Sequence, residues 1–210
     1  MMLKLMCYFA TDKNMNSFSV YNMCNPRMFK PTDKMSDLIC KNYALLQVLS
    51  RFGVSLGFGD KTVDEVCRMN GVDCSTFLAI VNFLTEDHNR VEDHLKDISV
   101  TALMDYLQSA HTYFLDFQLP AIRKKLIKSL DFSTKNEVAF LILQFFDDYV
   151  GEVRNHMEYE NKKVFAYVRA LLAGEHTAEY NIGVFARHHD QVNAKLTELK
   201  NIIIKYPSSG

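Results

Sequence analysis

From Ile142 to Leu171 the chain carries a single stripe, Ile142, Phe146, Tyr149, Val153, His156, Glu160, Val164, Val168 and Leu171, spaced by threes and fours. Only an α-helix, at 3.6 residues per turn, gathers such positions onto one face. A helix with an apolar face this long has to bury it against neighbouring elements. Gly and Pro supply 8 and 4 residues of the 210, too few for the frequent turns of an all-β protein, and the Leu, Lys, Glu, Met and Ala content suits helices. The expected fold class is all-α.

Three long amphipathic segments are expected between residues 99 and 207. The first starts after Ser99 and passes Pro120 to about Leu130. The second starts at Thr134, where Glu137 completes a capping box, and runs to Gly174; the third starts near Thr177 and stops before Pro207. Short connections between long helices make antiparallel neighbours, so the pattern predicts an up-and-down bundle with three helices present where such bundles have four. A bundle one helix short exposes an apolar groove, and a homodimer formed through that groove is expected.

Ahead of the bundle, residues 36–84 predict a small helical domain. Its first helix would be capped by Ser36 and stopped at Gly53. The second would carry a Thr62/Glu65 capping box and end near Gly71, and the third would run from about Ser75 to Leu84. Residues 1–35, with Pro26 and Pro31, read as an irregular arm, and the polar run at 85–98 as a linker.

Two polar residues interrupt the stripe. His156 and Glu160 stand one turn apart where apolar side chains belong, and His111 does the same among Leu103, Leu107 and Phe114. In the last segment His189 takes its place in the series Ile182, Phe185, Val192, Leu196, Leu199, Ile203, while His188 falls about 100° to one side. His111 lies about 20 residues before the first inter-helix loop and His156 about 24 after it, each roughly 30 to 36 Å from that loop at about 1.5 Å per residue. His189 is offset by roughly 8 Å, a mismatch that helix stagger absorbs. Three imidazoles and one carboxylate are thus expected in one layer of the core. A buried carboxylate needs a counter-charge or a metal. A donor set without thiolate suits iron or manganese better than structural zinc, and a His and Glu four apart on one helix form a chelating pair. His88, His94 and His176 fall in polar connections and read as solvated. Glu152, one turn before His156, would be an outer partner of it.

The charge balance narrows the function. Lys+Arg number 24 and Asp+Glu 25, a formal net charge of -1, which gives no electrostatic basis for binding nucleic acid. The five cysteines form no C-x-x-C pair and read as packed core residues in a reducing compartment. Lys4 interrupts the apolar start and no cleavage signal follows it. No run approaches a membrane span, so a cytoplasmic protein without membrane association is expected.

With these residues in place, the chain resembles the iron-sulfur cluster repair proteins of the repair-of-iron-centres type. Residues 36–84, especially VLSRFGVSLGFGDKTVDEVCRMNGVD, resemble their small N-terminal domain, and residues 100–206 their hemerythrin-like domain. The motifs are F-G…G-x-x-T-V in the small domain, His111 eight residues ahead of Pro120, H-M-x-x-E at His156 and Glu160, and H-D at His189 and Asp190. The resemblance implies a non-haem di-iron centre with His111, His156, Glu160 and His189 as ligands, Glu160 bridging. It further implies NO or O2 as small ligands, and damaged iron-sulfur proteins as partners under nitrosative or oxidative stress. Manganese and zinc are less favoured occupants. The chain departs from the family at Leu56-Gly57-Phe58-Gly59, where the family has adjacent cysteines and two glycines, and at Phe132 beside Asp131, near a further family histidine. It also ends at Gly210 before a helix carrying the family's last His and Glu. A helical binding or regulatory module, or an O2 or NO sensor without repair activity, is the alternative.

Overall fold

The computed structural model describes residues 28–85, 98–130, 137–175, 196–202, 204 and 205. Among them the regular elements are helical, with one isolated antiparallel bridge between Lys34 and Thr62. The chain is all-α, as its periodicity predicts. Contacts divide it into two units, Met1–Ala110 and His111–Gly210.

The first unit begins its core earlier than Ser36. Phe29 is buried, and the Asn82 carboxamide holds its backbone from both sides: Phe29 N–H donates to Asn82 Oδ1 at 2.8 Å and Asn82 Nδ2 donates to Phe29 O at 3.1 Å. Helix α1, Met35–Lys41, and helix α2, Leu45–Arg51, stand where one helix is expected. The break is at Asn42, whose backbone is extended and whose side-chain oxygen accepts the Ala44 N–H at 3.0 Å. An asparagine carboxamide offers the backbone this local alternative to a continuous helix. The cap of α1 also differs from expectation, because Lys34 occupies it without a side-chain capping bond and Ser36 lies inside the helix. Gly53, at φ +70°, ends α2 as predicted, since a left-handed residue after a helix favours glycine.

Helix α3, Val63–Met69, opens on the expected capping box. Thr62 N–H donates to Glu65 Oε2 at 2.8 Å and Glu65 N–H donates to Thr62 Oγ1 at 3.3 Å. Thr62 N–H, and then its hydroxyl, hold the Glu65 carboxyl below the usual carboxylate range. Helix α4, Cys74–Thr85, starts where the Asp73 carboxylate accepts the Thr76 N–H at 2.7 Å. Met35, Leu38, Val48, Leu49, Val63 and Phe77 fill the space between these helices.

Helix α5, Val100–Tyr113, contributes its first part to this same unit. Arg51 is buried there. Its Nη1 donates to Tyr106 Oη at 3.1 Å and its Nη2 to Gln47 Oε1 at 3.3 Å, while its guanidinium lies 5.7 Å from the Tyr106 ring centre. Phe52 packs against that ring at 5.0 Å and meets Phe77 edge-on at 5.5 Å.

In the second unit a π-helical turn, Phe114–Gln118, follows α5 and leads into α6, Leu119–Ser129, with Pro120 in the first turn of α6. Helix α7, Glu137–Tyr159, is followed by a second π-helical turn, Glu160–Val164, and then by α8, Phe165–Leu172. Arg123 of α6 holds Asp147 of α7 through two bonds, at 2.7 and 2.8 Å. The predicted stripe is buried from Ile142 through Val153 and at Glu160 and Val164. Beyond that it fails: Leu171 is 43% exposed, and Phe165, off the stripe, is 1% exposed. A π turn inserts one residue and rotates the following face, which a constant 3.6-residue period does not allow for. The chain is helical again at 196–202, with Leu199 buried. The expected Thr134 cap, Asp131, most of the expected linker and the start of the third segment lie outside the described residues.

Candidate functional site

Glu160 sits at the junction of α7 and its π turn, 1% exposed. Two histidines face its carboxylate, one on each oxygen. His111 Nε2 is 3.1 Å from Oε2, and His156 Nε2, one turn earlier on α7, is 3.3 Å from Oε1. His111 is buried and only 9% of the His156 side chain is exposed. The structure therefore brings together three of the four residues singled out by the stripe, His111, His156 and Glu160. His189 lies outside the described residues, as do His88, His94 and His176.

A fourth group fixes the arrangement. His111 Nδ1 is 2.9 Å from Asn161 Oδ1, and an amide oxygen only accepts, so Nδ1 carries the hydrogen. Consecutive residues thus hold opposite edges of one imidazole, Glu160 at Nε2 and Asn161 at Nδ1. In a regular α-helix neighbours point about 100° apart; the π turn that starts at Glu160 relaxes that angle. Phe165 lies nearly parallel to the His111 ring, 10° between planes with centres 5.9 Å apart, and restricts its rotation. The other π turn begins three residues after His111. Such turns inside α-helices recur at functional sites.

The electrostatics of the cluster follow from that tautomer. With Nδ1–H committed to Asn161, a neutral His111 presents the Nε2 lone pair to a carboxylate oxygen. Two lone pairs at 3.1 Å repel unless a proton or a cation lies between them. The approach of Nε2 falls outside hydrogen-bond alignment. A shared proton favours a linear N–H···O path, whereas a shared metal ion does not. Burying Glu160 without any counter-charge would cost several kcal/mol. Among the described residues, no group of three or more His, Cys, Asp or Glu side chains is disposed to hold one ion.

Asn161 and Phe165 were not legible as site residues. Each is off the regular stripe, and no pattern in the sequence marks the π turn that carries them inward. Leu56 and Gly57, which stand where the resembled family has its cysteine pair, lie in an exposed loop with Gly57 at φ +94°. Of the thiols described, Cys67 is buried and Cys40 exposed. Burial, and then the neighbouring Cys74, push the Cys67 thiol up to about 12. Among the described residues no helix is long and apolar enough to cross a membrane. No family model, no curated protein and no solved structure matches the chain significantly.

Proposed function

We propose that the chain is a non-haem di-iron protein of hemerythrin-like bundle architecture, with His111, His156 and Glu160 as iron ligands and His189 completing the set. The observation that carries this reading is the buried Glu160 carboxylate facing one imidazole nitrogen on each oxygen, one imidazole being held by Asn161 at its other nitrogen. A carboxylate with a separate histidine at each oxygen suits a bridge between two ions. Iron held there by His111, His156 and Glu160 would supply a redox-active Lewis acid for a small ligand such as NO or O2. The protein's own part is to orient the donors, with Asn161 and Phe165 fixing one imidazole, and to keep them out of bulk water.

The physiological role in this proposal is cytoplasmic repair of iron-sulfur clusters damaged by nitrosative or oxidative stress, with damaged iron-sulfur proteins as clients. That part is supported by the motifs at His111, His156 and His189 and by the small domain ahead of the bundle. Anaerobic loading of the full chain with Fe(II), followed by desalting and metal analysis, tests the centre. Close to two irons per chain are expected in the wild type and fewer than half as many in His156→Ala; an iron-free wild type overturns the reading. Recovery of a damaged [4Fe-4S] enzyme by the wild type and not by His156→Ala would separate repair from sensing.

A second reading starts from the two imidazole–carboxylate contacts themselves, His111 Nε2 to Glu160 Oε2 and His156 Nε2 to Glu160 Oε1. In it the His111–Glu160–His156 cluster is a proton-sharing core element of a helical binding module. That reading expects Glu160→Ala and His156→Ala to leave stability unchanged or raised, since a buried charge is relieved.

A further inference from the structure

The grip on His111 from both edges assigns a role to a residue that the stripe does not contain. We infer that Asn161 is the positioning residue of this site: its amide oxygen selects the Nδ1–H form of His111 and so aims the Nε2 lone pair at the Glu160 carboxylate. The tautomer follows from the 2.9 Å Nδ1···Oδ1 contact alone, because the acceptor has no hydrogen to give. Its consequence for metal affinity rests on the iron reading above.

The π turn makes this arrangement possible. Glu160 and Asn161 are adjacent, and an unbroken α-helix would turn one of them away from α5. The inserted residue lets both reach the same ring. Phe165, the first residue after the turn, closes over the ring face. Sequence position and local backbone thus act on one side chain through three neighbours. An imidazole that binds a metal through one nitrogen is ordinarily oriented by a hydrogen bond at the other, and loss of that bond weakens binding about 10- to 100-fold.

Two variants separate orientation from folding. Asn161→Asp keeps an acceptor at Nδ1, and Asn161→Leu removes it with little change in volume. Two-bond proton–nitrogen NMR of the metal-free full chain, above neutral pH, reads the tautomer directly. A protonated Nδ1 and a bare Nε2 are expected for His111 in the wild type and Asn161→Asp, and loss of that pattern in Asn161→Leu with its helical circular dichroism retained. Titration with Co(II) alone, followed by visible absorption, should show affinity about 10- to 100-fold weaker in Asn161→Leu and close to wild type in Asn161→Asp. A wild-type His111 protonated at Nε2, or an Asn161→Leu chain with unchanged tautomer, overturns the assignment. A wild type with Nδ1–H that binds neither Co(II) nor Fe(II) upholds the assignment and overturns the metal reading instead.

Discussion

Among the described residues each unit buries one full charge on a helix, Arg51 in the first and Glu160 in the second, and the two are treated differently. In the first unit Arg51 is received by uncharged groups: the Tyr106 hydroxyl, the Gln47 carboxamide and the face of an aromatic ring. All of these accept hydrogen bonds or cation–π contact from a group that has only hydrogens to give. In the second unit Glu160 is faced by two imidazoles, one of which has its single neutral-state hydrogen directed elsewhere. Arg51 gives hydrogens from Nη1 and Nη2 to neutral acceptors. A buried carboxylate facing an imidazole lone pair requires a positive particle between them. Burial of charge alone does not mark a site; the two differ in what faces the charge, neutral acceptors at Arg51 and two imidazoles at Glu160.

The comparison can be broken most sharply at Glu160. Glu160→Gln removes the charge and keeps the volume, and it is expected to abolish Fe(II) retention, measured by metal analysis, while Arg51→Met leaves retention untouched. Loss of iron in Arg51→Met with the second unit still folded would erase the distinction between the two buried charges.

At Arg51 the effect is on stability instead. Arg51→Met gives up two hydrogen bonds and a ring contact and leaves the Tyr106 hydroxyl buried, and it should cost about 2 to 4 kcal/mol in chemical denaturation. Tyr106→Phe removes only the hydroxyl acceptor and should cost about 1 to 2 kcal/mol. Equal costs for the two would mean that the guanidinium contributes nothing beyond that one bond.

Thr62→Ala, which opens the α3 capping box, is a smaller perturbation of the same unit, about 1 kcal/mol by denaturant midpoint at constant slope. The thiols give the smallest effect, one of rate. With Cys67 pushed up to about 12 by burial, its thiolate fraction at pH 8 is on the order of one in ten thousand. Exposed Cys40 should therefore be alkylated by iodoacetamide well before Cys67 in the native chain, as timed by peptide mass spectrometry.

The distribution of these features explains what the sequence discloses. Apolar spacing led to His111, His156 and Glu160, because a polar side chain on an apolar face is visible without a structure, and equal helical distances from one loop put two of them at one level. The Thr62/Glu65 box and the Gly53 stop were equally readable, since each is fixed by a local side-chain or backbone requirement. The break at Asn42 was not, because its carboxamide competes with the helix only when the tertiary packing of α1 and α2 favours a bend. Asn161, Phe165 and the exposure of Leu171 share one cause, a π turn whose extra residue breaks the 3.6-residue period of the stripe.

Iron K-edge X-ray absorption of the anaerobically loaded full chain tests the central claim most directly. Outer-shell imidazole scattering around the iron is expected in the wild type, diminished in His111→Ala. Iron that is absent, or bound with no imidazole scattering and unaffected by His111→Ala, would contradict it.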